Sequence, residues 1–438
     1  MNRQLYTLGL YLLIPIILIY FLYRGFKDSR YLINFSERLG LIRNKHRPHH
    51  DIKSTEKRIL IHCASVGETK AAAPLIEHIF KSKKITQLVI TNTTPTGREE
   101  AKKIMSTLGV SNSSSVKMSS HYLPIDWPIC CRMFLNKFNF DLIILMETEL
   151  WPNFIHQSNN KNIPIVLANA RMSEKSANKY QRHPKLNNDI FAGISSIAAQ
   201  YESDKNQFLS LGITEQKITC VGSIKFDIQI SESLKNQQRQ LKKSWCNDRP
   251  CWIACSIHPG EFSTILNAHK QLMTQFPNLL LIAVPRHPEQ FESIKSQSSE
   301  MQMNYINRSH AQMPDETTQL IIGDTMGELT LLCGAADIAF LGGSMINRGG
   351  HNPLEPAACG IPIIMGNSIY NFLDVSKIMI ESDCLTLVND EVELVSSIST
   401  LLNDKNRLSQ QQQMTKNLFK ENGQTVNKLS KLIDEYLE

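Results

Sequence analysis

The sequence contains no CxxC pair, no GxxxxGK[ST] run, no GxGxxG run, no HExxH and no Asp-x-Asp pair. Each absence removes a chemistry. Without the first glycine run there is no P-loop cradle for a nucleotide triphosphate, and without the second there is no dinucleotide fingerprint. Without the histidine and aspartate pairs no metal is demanded. Aromatic residues are only 7% and are not interleaved with a basic stripe, so no nucleic-acid partner is expected. The ten cysteines lie mostly inside apolar runs such as CWIAC and LLCGAAD, and they read as reduced core residues of a cytosolic compartment. Cys246, Cys251 and Cys255 suggest a metal site at first sight, but the last two bracket an apolar strand pattern, which favours packing.

Hydrophobic residues make up 42% and charged residues 20% of 438, the balance of a globular chain of two or three domains. The net charge of +6 suits a membrane surface or an anionic substrate and does not choose between them. One long apolar run exists. Leu5–Tyr23 carries no charge and is about one bilayer span. Bulky residues run straight into Arg24, so it reads as an uncleaved anchor rather than a signal peptide. Arg24, Lys27, Arg30, Arg38, Arg43, Lys45 and Arg47 follow it, which places the rest of the chain on the cytoplasmic side. Pro15 is positioned to kink the segment, and shallow monotopic insertion is the other geometry open to it.

After this basic stretch the chain alternates. RILIHCA, TQLVITN, LIILME, IPIVLANA, ISSIAAQ and ITCVG read as strands with helical patterns between most of them. A polar stretch follows, and CWIACS, NLLLIAVP, QLIIGD, DIAFLGGS, IPIIMG and CLTLV repeat the habit. The expected organisation is a membrane anchor (1–25), a first Rossmann-like domain (26–228), a linker with one helix (229–248), a second Rossmann-like domain (249–405) and a helical tail (406–438). Two doubly wound α/β domains in tandem predict a central cleft, with ligands at the carboxyl ends of the strands.

The chemistry-bearing residues fall at those ends. Glu68 follows the first strand in ASVGE, Glu147 follows LIILM, and Lys225 lies in GSIKFD after the last strand of the first half. Two carboxylates and an amine in one region suit proton abstraction and charge balance. Each has an ordinary alternative. Glu68 could serve only the cap made by Ser65, Glu147 could precede a helix started by Trp151-Pro152, and Lys225 could be a surface residue at a domain boundary. In the second half Pro285 and Arg286 end a wholly apolar strand, and GDTMGEL places Met326, Gly327 and Glu328 before a helix. LGGSMINRGGHNPLEPAA sets two glycine pairs around Arg348 and opens a helix at Asn352-Pro353. Such turns cradle phosphates, and the arginines could pair with a phosphate or carboxylate. His258, His287 and His351 read as polar loop residues, and His62 as a satisfied core histidine.

In order, ASVGE, TPTG, METELWPN, ANARMS, GSIKFD, VPRHPE, GDTMGEL and GGHNPLEPAA follow the N-terminal run. This series resembles the 3-deoxy-D-manno-octulosonic acid (Kdo) transferase family over nearly the whole chain. The resemblance implies a GT-B arrangement and transfer of Kdo from CMP-Kdo to the tetraacyl disaccharide bisphosphate precursor of lipid A, with no further cofactor. It implies Glu68 as the catalytic base, with Glu147 and Lys225 assisting the transition state. Pro285, Arg286, Met326, Gly327, Glu328, Asn352, Pro353, Leu354 and Glu355 match its CMP-binding segments. CMP-Kdo, the lipid A precursor and inner-membrane lipids are the expected partners. Arg38 and Arg43 are expected to face lipid phosphates or the anionic leaflet. Another GT-B enzyme with a uridine nucleotide donor and a lipid acceptor is the alternative. A membrane-tethered binding protein, of a different class, predicts decayed site residues, whereas Glu68, Lys225, Arg286 and Glu355 are all present.

Overall fold

The computed structural model describes residues 2–42, 57–82, 84–109, 116–228 and 230–438. The chain forms two compact units, Met1–Asp227 with Gln424–Glu438, and Ile228–Gly423. Each is built on a seven-stranded, all-parallel sheet.

The strands of the first unit are β1 (Lys57–His62), β2 (Ile85–Asn92), β3 (Lys117–Tyr122), β4 (Leu142–Met146), β5 (Ile165–Ala170), β6 (Ser196–Ala199) and β7 (Ile218–Cys220). Their order is β3-β2-β1-β4-β5-β6-β7. The chain therefore reverses its direction of winding between β1 and β4, the place where open α/β sheets hold ligands. Leu142–Met146 is fully buried because helices cover both faces of a parallel sheet, which is why it reads as an unbroken apolar run. Phe134, Phe154 and Phe208 fill one face, and Ile59, Leu75 and Ile76 fill the other. The helix Thr425–Asp434 adds Leu429 and Ile433 to that second face and lies against α4 (Val66–Lys81), so the C-terminal tail is divided between the two units.

The second unit has β8 (Cys251–Ile257), β9 (Leu280–Pro285), β10 (Tyr305–Asn307), β11 (Leu320–Ile322), β12 (Ile338–Leu341), β13 (Ile363–Gly366) and β14 (Leu385–Val388), in the order β10-β11-β9-β8-β12-β13-β14. Its winding reverses between β8 and β12. The polar stretch before β8 is one helix, Glu232–Cys246, within this unit.

The N-terminal run is two helices, α1 (Arg3–Leu12) and α2 (Ile14–Lys27), bent by 57°. Pro15 sits in the first turn of α2, where its missing N–H costs nothing and its fixed φ starts a new helix. Among the described residues no single helix is long and apolar enough to cross a membrane, and only the bent pair together has the composition. The expected anchor is thus not one continuous helix. Arg3 and the Thr7 hydroxyl bond the Asn153 side chain, while Tyr6 packs on the core. Leu12, Ile16, Ile19, Leu22 and Phe26 remain exposed, Phe26 at 93%. A short α3 (Phe35–Arg38) follows. Arg38 is only 3% exposed, so it does not face lipid headgroups as the flank suggested. Its companion Arg43 lies outside the described residues.

Candidate active site

The turn from β1 into α4 holds Glu68. Ser65 is extended, and its Oγ accepts the Glu68 N–H at 3.3 Å. The same hydroxyl donates to Glu68 Oε1 at 2.8 Å, and the Ala64 N–H donates to Oε2 at 2.7 Å. Glu68 therefore takes part in the cap, as a capping-box glutamate does. Capping and reactivity do not compete, because a carboxylate oxygen holds more than one lone pair. Burial pushes the Glu68 carboxyl above its ordinary value; the Ser65 and Ala64 bonds pull it down, and the charges of Glu149 and Glu147 push it up again. Those opposing influences suit a base that must hold a proton and release it. Gly67 is exposed, and a Cβ there would touch nothing nearer than 3.8 Å, so the glycine leaves the surface beside Glu68 bare.

The next strand end supports this turn. Helix α5 (Pro95–Thr107) is capped by Thr94, whose Oγ1 accepts the Gly97 N–H at 3.2 Å. The Thr93 N–H and Oγ1 donate to the Ala64 carbonyl at 3.3 and 2.8 Å. Asn92 Nδ2 donates to the Cys63 carbonyl at 2.8 Å. A Cβ on Gly97 would come within 3.3 Å of the Ser65 carbonyl carbon, so the TPTG glycine permits α5 to lie directly on the Glu68 turn.

Glu147 ends β4 with φ +54°, left-handed backbone that few glutamates adopt. Its carboxylate is 3.4 Å from Lys225 Nζ. Lys225 lies on a 3₁₀ turn, Ile224–Phe226, which α4 packs against and which is fixed by Ile224 N–H to Asn169 Oδ1 at 3.0 Å. Glu149 accepts the Trp151 indole N–H at 3.0 Å and is 3.8 Å from His62 Nε2. The first unit thus brings Glu68, Glu147 and Lys225 to one end of its sheet, where its winding reverses.

In the second unit Pro285 is buried at the end of β9 and Arg286 is exposed. Met326 is exposed and Gly327 has φ +81°. The Glu328 carboxylate is taken by Arg308, at 3.1 and 2.9 Å, and by the Thr325 hydroxyl, so it secures its own loop. Asn352 Oδ1 accepts the Leu354 N–H at 3.1 Å, and Glu355 stands in the first turn of a helix of five residues, Leu354–Ala358, preceded by Pro353. Among the described residues no cluster of three His, Cys, Asp or Glu could hold a metal ion.

The comparisons with known proteins bear on this arrangement. The family model for 3-Deoxy-D-manno-octulosonic-acid transferase (kdotransferase) matches residues 34–228. A 3-deoxy-D-manno-octulosonic acid transferase of Haemophilus influenzae is 37% identical over 100% of this chain and 99% of its own. The chain belongs to the Kdo transferase family. It is therefore a glycosyltransferase. The Rickettsia bellii 3-deoxy-D-manno-octulosonic acid transferase is 31% identical over 100% of this chain and 98% of its own. The fold of this Kdo transferase is also similar to that of a UDP-GlcNAc 2-epimerase from Neisseria meningitidis, at 15% identity and a TM-score of 0.53, over 87% of this chain and 99% of that one. The tandem α/β architecture of GT-B enzymes is in keeping with both sheets.

One constellation of the Kdo transferase escaped the sequence reading. His258, after β8, and His351, after β12, place their Nε2 atoms 2.9 Å apart with rings stacked at 5.1 Å, and His287 stands beside His258. Burial, then the positive charge of Arg286, His258, His287 and Arg348, pushes His351 down to about 4. The partners are 93 residues apart, so no local spacing signals them. The only sign was that His258 and His287 stand just past the ends of β8 and β9, whereas His351 lies further along the loop after β12.

Proposed function

We propose that this protein transfers Kdo from CMP-Kdo to the tetraacyl disaccharide bisphosphate precursor of lipid A, in lipopolysaccharide core synthesis, without a metal and with inversion. The observation that carries this is Glu68: a buried carboxylate with a raised proton affinity, held by two hydrogen bonds beside a bare glycine. The acceptor's primary hydroxyl attacks the anomeric carbon of Kdo. Glu68 takes the hydroxyl proton, the new C–O bond forms, and the bond to the phosphate oxygen breaks with its electron pair leaving on CMP. Direct displacement needs one base, and it inverts the anomeric centre. Lys225, held by Glu147, sets a positive charge near the reacting centre. Arg286 and Arg348, with Met326, Gly327 and Asn352–Glu355, serve the negative charge of CMP-Kdo.

The exposed apolar residues of α1 and α2, followed by Lys27, support attachment to the cytoplasmic face of the inner membrane, whose anionic leaflet attracts such a flank. The test offers detergent-solubilised protein CMP-Kdo and UDP-sugars in competition, with the tetraacyl acceptor, and weighs the products. Incorporation from CMP-Kdo alone is expected. Incorporation from a UDP-sugar would replace this reading with a uridine-nucleotide glycosyltransferase.

A further inference from the structure

Arg38 is buried, and among the described residues no carboxylate pairs with it. Its guanidinium lies 3.9 Å from the centre of the Tyr122 ring and 4.8 Å from that of Phe21 on α2. Nη2 donates to the Thr93 carbonyl at 3.0 Å, and the Arg38 carbonyl accepts the Ile125 N–H at 2.7 Å. A buried cation without a counter-ion is costly, and stacking on aromatic faces offsets only part of that cost. A leucine in this place would pack more cheaply. Its neighbour Glu37 satisfies α3 separately, through Arg98, His121 and the Tyr122 N–H. What Arg38 alone supplies is a hold on Thr93. From there the bonds continue: Thr93 N–H and Oγ1 to the Ala64 carbonyl, then Ala64 N–H to Glu68 Oε2.

We propose that Arg38 is a positioning residue for Glu68, tying the apolar helix α2 to the turn that carries the catalytic carboxylate. The inference rests on Glu68 being the base. Phe21 is the end of the linkage that α2 contributes, so the seating of α2 bears on the geometry of the β1–α4 turn. When the hold on Thr93 is lost, the Ala64 backbone on both sides of its Cα drifts, and the Ala64 N–H no longer steadies the ionised carboxylate.

The experiment compares full-length Arg38→Met, Arg38→Lys and Thr93→Val with the parent protein, reading kcat and KM against pH in detergent. Arg38→Met is expected to lower kcat about tenfold or more with little change in acceptor KM, as a small misplacement of a reacting group does. Its acid limb is expected to move to higher pH, because Glu68 then holds its proton more tightly. Arg38→Lys can still donate to Thr93 and is expected to recover part of both. Thr93→Val removes the 2.8 Å bond to Ala64 at almost constant volume, and it supplies the same reading if Arg38→Met does not fold. Its acid limb is also expected to rise. A folded Arg38→Met or Thr93→Val with the parent's kcat and acid limb would overturn the proposal. So would a change in acceptor KM alone, which marks a substrate contact. Glu68→Gln run beside them separates the two readings: if it is active, the base assignment falls and this inference with it; if it is inert while the limbs stay fixed, only this inference falls.

Discussion

Glu147 stands in left-handed backbone, φ +54°, where a glycine or asparagine would rest more easily. Its N–H donates to the Ala168 carbonyl at 2.9 Å, so the sheet holds the residue there. Replacing it by alanine removes the carboxylate and the Lys225 contact but keeps the Cβ that disfavours this conformation. Replacing it by glycine removes the same groups and the Cβ as well. The difference between the two variants therefore isolates the backbone. Left-handed conformation costs a residue with a Cβ roughly 1–2 kcal/mol. Glycine's extra freedom in the unfolded chain returns about 0.5–1 kcal/mol of that. Glu147→Gly should then be more stable than Glu147→Ala by up to about 1.5 kcal/mol, about 0.75 kcal/mol at the midpoints of the two ranges. The lost ion pair is partly exposed and contributes about 0–1 kcal/mol to both variants alike. Urea unfolding of the two proteins in the same detergent measures the difference, and both should transfer Kdo more slowly than the parent. A more stable alanine variant would refute the strain. A stable and fully active glycine variant would refute its link to function.

The other predictions follow from the same turn and its support. Glu37 and Arg98 are both buried and meet at 2.9 Å. Arg98→Met leaves Glu37 without that partner and should cost about 3–5 kcal/mol in urea unfolding, with Glu37→Gln added to it restoring part of the loss. Ser65→Ala removes both the cap and the hydroxyl that helps keep Glu68 ionised. It should cost about 1 kcal/mol of stability. With Glu68 as the proposed base, activity falls as pH drops through its pKa, and losing the bond raises that pKa. The acid limb of kcat/KM should therefore move to higher pH, and a limb moving lower would contradict the assignment.

The strands that surround the site were legible because parallel strands are buried on both faces and read as apolar runs. β3, KMSSHY, was not, since it is an edge strand and carries the polar residues that edges tolerate. Pro15 announced the break between α1 and α2. The place of Thr425–Asp434 in the first unit was hidden by a polar composition in which Leu429 and Ile433 are buried in the core and Val426 and Leu432 pack against it. Glu68, Glu147 and Lys225 stood out because strand ends can be located from the sequence. Arg38 did not, because a basic residue in a basic flank gives no sign that its guanidinium is enclosed by Phe21 and Tyr122. The His258–His351 pair is a product of strand order, which no neighbouring residues encode.

The most direct test of the account is Kdo transfer from CMP-Kdo to the tetraacyl acceptor by the parent protein and by Glu68→Gln, with products weighed by mass spectrometry and folding checked by urea unfolding. The parent is expected to transfer, its product mass counting the sugars added, and a folded Glu68→Gln is expected to be nearly inert across the pH range. A folded Glu68→Gln that transfers at the parent's rate would reduce Glu68 to a helix cap and place the base elsewhere.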